Sequence, residues 1–325
     1  MFTPHSFVVA LAMVIVTSIC WGSWPNTFKA VKNYPFELFY WDYAIGIFLI
    51  SLILAMTMGS TPPDQSSFLA NVHAADAANI GWALVAGVLF NLANLLLVAG
   101  IDMVGMATAF PVAIGIALVV GVVPSYILQP KGNGVMLAAG VICAVLAVIL
   151  DGKAYGELRA GKTATSRKGL MVCVVCGLLM GTWAPFLTRG ITHGNPLGPY
   201  SVCVFFTLGA LASCFLWNFY FMRHPLAGEP VAFSGYFRGP LSGHLLGLVG
   251  GFIWGLGTVF NLVAAHFTGV AISYAIGQSA PMVAALWGVF AWKEFAGANR
   301  KSKAYLGLMF LFYLLAILLV ARATG

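Results

Sequence analysis

Runs of about twenty predominantly apolar residues recur from one end of the chain to the other, and nothing else in the sequence restricts its fold as tightly. A helix of roughly 20 residues spans the hydrocarbon core of a bilayer. Ten such runs are read at 6–25, 36–59, 79–101, 104–128, 134–151, 168–188, 198–222, 242–265, 269–292 and 302–322. In lipid every backbone polar group must be satisfied within the protein, which helices do segment by segment. The expectation is an all-α integral membrane protein with ten transmembrane helices. Composition agrees: 61% of the 325 residues are hydrophobic and 8% charged, against about 25% charged in globular chains. The opening MFTPHSF lacks the basic stretch of a cleaved signal, so the first span is expected to stay.

The basic residues set an orientation. With ten spans both termini share a face, and 13 of the 16 Lys and Arg residues fall on the opposite one, among them Lys29, Lys32, Lys153, Arg159, Lys162, Arg167 and Lys168. Cytoplasmic loops keep the positive charge, so both termini are expected outside the cytoplasm, across a cell (inner) membrane. The formal charge of +7 forms no patch interleaved with exposed aromatics, which argues against nucleic acid. The six cysteines all lie in apolar runs, so a disulfide framework is not expected and Cys173-x-x-Cys176 reads as helix packing. The histidines show no paired spacing, and neither a metal site, a cofactor site nor an enzyme's nucleophile emerges.

The two halves look alike. GSWPNTF (22–28) matches GTWAPFL (181–187), and 87–110 aligns without gaps with 251–274 through Gly87/Gly251, Gly105/Gly269, Ala107/Ala271 and Phe110/Tyr274. Five spans per half is an odd number, so the halves insert with opposite topology. Inverted repeats with a midplane site are a common transporter design. The expected organisation is a five-helix repeat at 1–152, a basic cytoplasmic connector at 153–167 and a second five-helix repeat at 168–325. Trp24 and Trp183, the repeat mates, are read as gate or pocket walls or else as interfacial belt residues.

Ten spans as two inverted fives, with GSWP (22–25), Asp42-Tyr43, Asn94-Leu95, GGFIWGLG (250–257), Gln278-x-x-Pro281, Trp287-Gly288 and Glu294, resemble the ureide permease branch of the drug/metabolite transporter superfamily. AIGIALVVG (113–121) is also similar to the rhamnose–proton symporter and glucose/ribose uptake branches. The plant members carry a long central loop with a phosphate-loop-like sequence. Here GKTATSRK (161–168) is short and lacks the paired glycines, so ATP hydrolysis is not expected. The resemblance implies a proton-coupled symporter importing a small neutral polar solute such as a ureide or nucleobase (allantoin, uracil). A monosaccharide symporter (rhamnose, glucose, ribose) and an exporter of the same superfamily are the alternatives. A monomer is plausible.

Polar residues inside the spans are the candidate site. Asp42 lies six residues into its span, about 9 Å from the span's start. It reads as the one deep acid. A carboxyl that can be protonated there is what proton coupling needs; the other reading is a hydrogen bond to a neighbouring helix, or snorkelling to the interface with Glu37. Asp102 is placed at the tight turn between spans three and four, and Glu294 at the end of span nine, both as structural residues. Asn91 and Asn94 share a helix face; Thr258, Asn261 and Gln278 continue the theme, with Thr258 the repeat mate of Asn94. With Trp24, Asn26, Thr182, Trp183 and Trp254 they are the candidate substrate-binding set, or, singly, interhelical hydrogen bonds worth about 0.6 kcal/mol each. No deep Lys or Arg is present to hold a phosphate, which argues against sugar phosphates and nucleotide sugars. Pro25, Pro111, Pro185 and Pro281 are expected to interrupt helix hydrogen bonds.

Overall fold

The structure, a computed structural model, describes residues 1–61, 67–158 and 166–323. Residues 159–165 of the connector expected at 153–167, with Arg159 and Lys162, most of the STPPDQSS loop, and the side chain of Ala107 lie outside the described residues. Among the described residues the regular structure is helical throughout. The helices are α1 (Phe7–Ser23), α2 (Pro25–Ala30), α3 (Phe36–Met56), α4 (Phe68–Ala74), α5 (Ala77–Val104), α6 (Met106–Leu128) and α7 (Gly134–Leu158). They continue as α8 (Arg167–Thr192), α9 (Pro199–Arg223), α10 (Leu241–Thr268), α11 (Val270–Gly277), α12 (Ala280–Phe290) and α13 (Arg300–Arg322), with a 3-10 helix at Phe233–Arg238. Ten segments among the described residues are long and apolar enough to cross a membrane, with α1–α2 and α11–α12 each forming one of them.

Local chemistry starts several of these helices. Ser6 accepts from the Val9 amide before α1, Ser166 from Gly169 before α8, and Asn299 from Ser302 before α13, each filling an orphan donor of a first turn. Apolar length then carries the helix across the membrane, and small residues decide where helices meet. α5 packs on α8 and α9, and α10 packs on α1 and α3; α6 packs on α8 and α7, α1 on α11 and α12, and α7 on α13. A side-chain methyl added at Gly87 would lie 1.9 Å from the Phe206 carbonyl oxygen, and one at Gly251 would lie 2.2 Å from that of Tyr43. These repeat mates therefore sit where backbone touches backbone. Gly105 and Gly269 also match, with φ of 76° and 88° at the junctions between spans three and four and spans eight and nine. Their ψ values of 159° and 151° complete a conformation open essentially only to glycine. The packing and the paired glycines are compatible with two inverted five-helix repeats.

Three expectations are corrected. Span five does not end at 151; it runs to Leu158, so Asp151 lies inside α7, 2% exposed, and Asp42 is not the one deep acid. Span nine is not continuous: α11 stops at Gly277 and α12 begins at Ala280. Asp102 is not in a turn but in the last turn of α5. Pro111 and Pro185 sit inside α6 and α8, where each lacks the N–H an interior residue would donate, and Pro25 and Pro281 stand at the first turns of α2 and α12.

Candidate functional site

A cavity of about 330 Å³ lies between α1, α2 and α12 on one wall and α5 and α6 on the other. It runs from mid-membrane residues, Phe90, Trp183, Trp254 and Gln278, toward the helix ends marked by Phe28, Phe36 and Asp102, opposite the termini. That opposite face also holds most of the basic residues.

Toward the terminal face the cavity is closed by rings. Phe90 stacks on Trp254 (centroids 4.5 Å, planes 26° apart), and Trp254 stacks on Trp21 (5.9 Å, 14°). Trp183 packs on Phe206 and edge-on to Tyr274, both fully buried. The Tyr274 hydroxyl donates to the carbonyls of Ala117 and Met180, joining α11 to α6 and α8. Aromatic pairs of this kind contribute about 0.5–1.5 kcal/mol each beyond the area they bury, so the roof is a set of stacked plates.

Five of the expected binding residues line this cavity: Trp24, Asn94, Trp183, Trp254 and Gln278. Gln278 occupies the break between α11 and α12. It is 9% exposed, and its side-chain amide makes no hydrogen bond, leaving both a donor and an acceptor free. The break explains this: two residues outside either helix turn the amide inward. Asn94 donates to the Tyr40 hydroxyl at 3.2 Å, leaving its carbonyl oxygen uncommitted. The indole N–H groups of Trp24, Trp183 and Trp254 likewise have no partner among the described residues.

The other five are held elsewhere. Asn91 does not accompany Asn94; it donates to Ser213 at 2.9 Å and contacts Cys214, between α5 and α9. Thr258 accepts from the Trp21 indole and donates to the Trp254 carbonyl, both 3.0 Å, so it holds the roof from behind. Asn261 binds Ser273, stapling α10 to α11 around Gly269. Thr182 donates within its own helix to Leu179. Asn26 accepts from the Trp292 indole, in a clasp where Trp287 donates to Ser23 and Lys29 pairs with Glu294. That clasp ties α1 and α2 to α12 along one wall and leaves the cavity open.

Asp42 faces away from the cavity. Its carboxylate, 4% exposed, accepts from the Tyr236 hydroxyl and pairs with His244 Nδ1, both at 2.7 Å. Gly247 makes room, since a Cβ there would stand 2.7 Å from that of Asp42. The Tyr34 ring abuts His244, and its buried hydroxyl has no partner. Burial and the nearby Asp42 push the Tyr34 phenol up to about 12, and burial followed by the hydrogen bond to Asp42 raises that of Tyr236. Both phenols therefore remain donors at physiological pH. Sequence reading missed His244 because its partner lies 202 residues away; no spacing rule reaches that far. A second acid stands apart: Asp151 Oδ1 and the Tyr313 hydroxyl are buried without partners where α7 meets α13.

Comparison with known proteins gives one consistent result. The family described as ureide permease matches residues 39–167 and 159–322. Ureide permease 1 of Arabidopsis thaliana is 20% identical over 379 residues, covering 97% of both chains. Ureide permease 2 of the same plant is 22% identical over 397 residues, covering 100% of this chain and 99% of its own. Probable ureide permease A3 of Vigna unguiculata is 28% identical over 148 residues, 43% of this chain and 39% of its own. A solved structure described only as the crystal structure of a protein superposes with a TM-score of 0.59 at 16% identity, covering 97% of this chain and 99% of that one. At that identity the likeness is one of fold.

Proposed function

The chain belongs to the ureide permease family, and on that premise we propose that it carries a ureide-type or nucleobase solute across the bilayer through the roofed cavity. The observation that carries this reading is Gln278, a largely buried residue whose amide lines the cavity with no protein partner, at a helix break in the cavity wall. Its donor and acceptor, the Asn94 carbonyl and the free indole N–H groups suit a planar molecule that alternates C=O and N–H. The roof rings suit its flat face. An amide that faces the cavity with no protein partner is available to hydrogen-bond a matching ligand.

In this reading the protein is a proton-coupled symporter that imports its solute through a cell (inner) membrane, with both termini outside. Thirteen of its 16 Lys and Arg residues lie opposite the termini, so the cavity mouth faces the cytoplasm. Asp42, shared between α3, α10 and the 3-10 helix, is the coupling acid. It touches no cavity wall, so protonation acts by loosening these elements from one another rather than by contacting the solute. The transport cycle alternates the two faces: the Tyr274 bridges part when the terminal side opens, and the mouth closes when α2 and α12 approach α5 and α6.

Proteoliposomes loaded with the purified chain test this directly. Labelled allantoin and uracil should accumulate saturably, faster with an inward proton gradient, and more slowly in Gln278→Ala. Accumulation of hexose with neither allantoin nor uracil would replace the ureide by a sugar; no accumulation of any of the three would end the transport reading.

A further inference from the structure

We propose that Asp102 is a charge filter: it makes the cavity select neutral or cationic solutes and exclude anionic ones. This rests on the reading above of the cavity as the solute path. Asp102 is the one charged residue lining the cavity among the described residues, and its exposed carboxylate makes no hydrogen bond or ion pair. It also lines a small adjoining vestibule together with Glu37, at the first turn of α3. The Glu37 carboxylate is equally unpartnered, its backbone carbonyl alone accepting from Asn218. No Lys, Arg or His lines either space among the described residues.

The setting sharpens the point. This mouth opens on the face where most of the basic residues are expected, yet the charged residues that line the opening among the described residues are the acids Asp102 and Glu37. By contrast Glu294 is committed to Lys29 and Tyr155, and Asp42 to His244 and Tyr236. The Lys168 ammonium donates to the carbonyl of Leu226 in the vestibule wall but forms an ion pair with neither acid, so the two unpaired carboxylates still repel an anion that passes them. Apolar rings, Phe28, Phe36 and Phe110, border the same space, which lowers the effective dielectric below that of bulk water and strengthens the repulsion. An aromatic lining adds the same preference, since ring faces attract cations and not anions.

Binding to the full-length chain in nanodiscs separates the possibilities. Two probe series are used: hydantoin against hydantoin-5-acetate, and glucose against glucosamine and glucuronate. In the wild type each anionic probe should bind at least roughly tenfold more weakly than its neutral parent, the size of one like-charge contact across a partly solvated gap. The gap should shrink to about twofold in Asp102→Asn and persist in Asp102→Glu. Glu37→Gln should shrink it by less. Anion and parent binding alike in the wild type, or a gap that survives in both Asp102→Asn and the Glu37→Gln/Asp102→Asn double variant, overturns the filter. If hydantoin fails to bind but the sugar series is graded by charge in an Asp102-dependent way, the ureide assignment falls and the filter stands. If neither neutral parent binds, both fall.

Discussion

Phe90 and Trp254 stand 164 positions apart, at equivalent places in the two halves, and their rings stack with centroids 4.5 Å apart. Their contact lies at the cavity, which both residues line. A residue from each half thus forms one continuous plate, extended by Trp21 on one side and Phe206 on the other. In the transport reading proposed above, a solute in the cavity meets a surface to which both halves of the chain contribute.

Replacing Trp254 by Ala should remove the middle plate and lower solute affinity by roughly two- to a hundredfold, the loss of one or two ring contacts at about 0.5–1.5 kcal/mol each. Trp254→Phe should recover most of it. Binding isotherms on the two variants decide the matter; equal affinities for Ala and wild type would mean that the roof does not touch the solute.

Gln278 and Asn91 should behave in opposite ways. Gln278 has no protein partner to lose, so Gln278→Ala should cost about 1–1.5 kcal/mol of solute binding with little change in melting temperature. Asn91 binds Ser213 in a fully buried contact between α5 and α9, so Asn91→Ala should cost about 1–3 kcal/mol of stability. Paired thermal melts and titrations would expose an exchange of these two outcomes.

The Asp42–His244 pair makes a prediction about pH. If the pair couples protons to transport, wild-type uptake should rise as the outside is acidified, and both Asp42→Asn and His244→Gln should flatten that rise. A purely mechanical strut predicts lower thermal stability with the pH profile intact. Because the two side chains touch, a double-mutant cycle on the slope of the pH profile should show strong non-additivity.

The matched glycines offer a test of the backbone. Gly105→Ala and Gly269→Ala each force a Cβ onto a conformation with φ of 76° or 88°, and each should destabilise by about 1–3 kcal/mol. Similar losses in chemical-denaturant titrations would support equivalent junctions in two repeats; a loss at one position only would argue against them.

Hydropathy runs and glycine positions determined the class, the ten crossings and the resemblance between halves, because each of those depends on residues close together in sequence. Burial of an apolar run in lipid needs no distant partner, and a positive φ is a local event. The polar site was legible only as a list of residue types. Asn91 and Asn94 lie one turn apart, and nothing in that spacing tells which will meet Ser213 and which the cavity. That difference came from the packing of α5 against α9. Likewise, the tertiary structure alone broke the ninth span at Gln278, put Asp102 into the cavity wall, and brought His244 to Asp42. In a membrane chain polar groups are few, and each settles wherever helix packing supplies a partner or leaves it facing a cavity. Packing sums contacts between residues hundreds of positions apart, which a linear pattern does not contain.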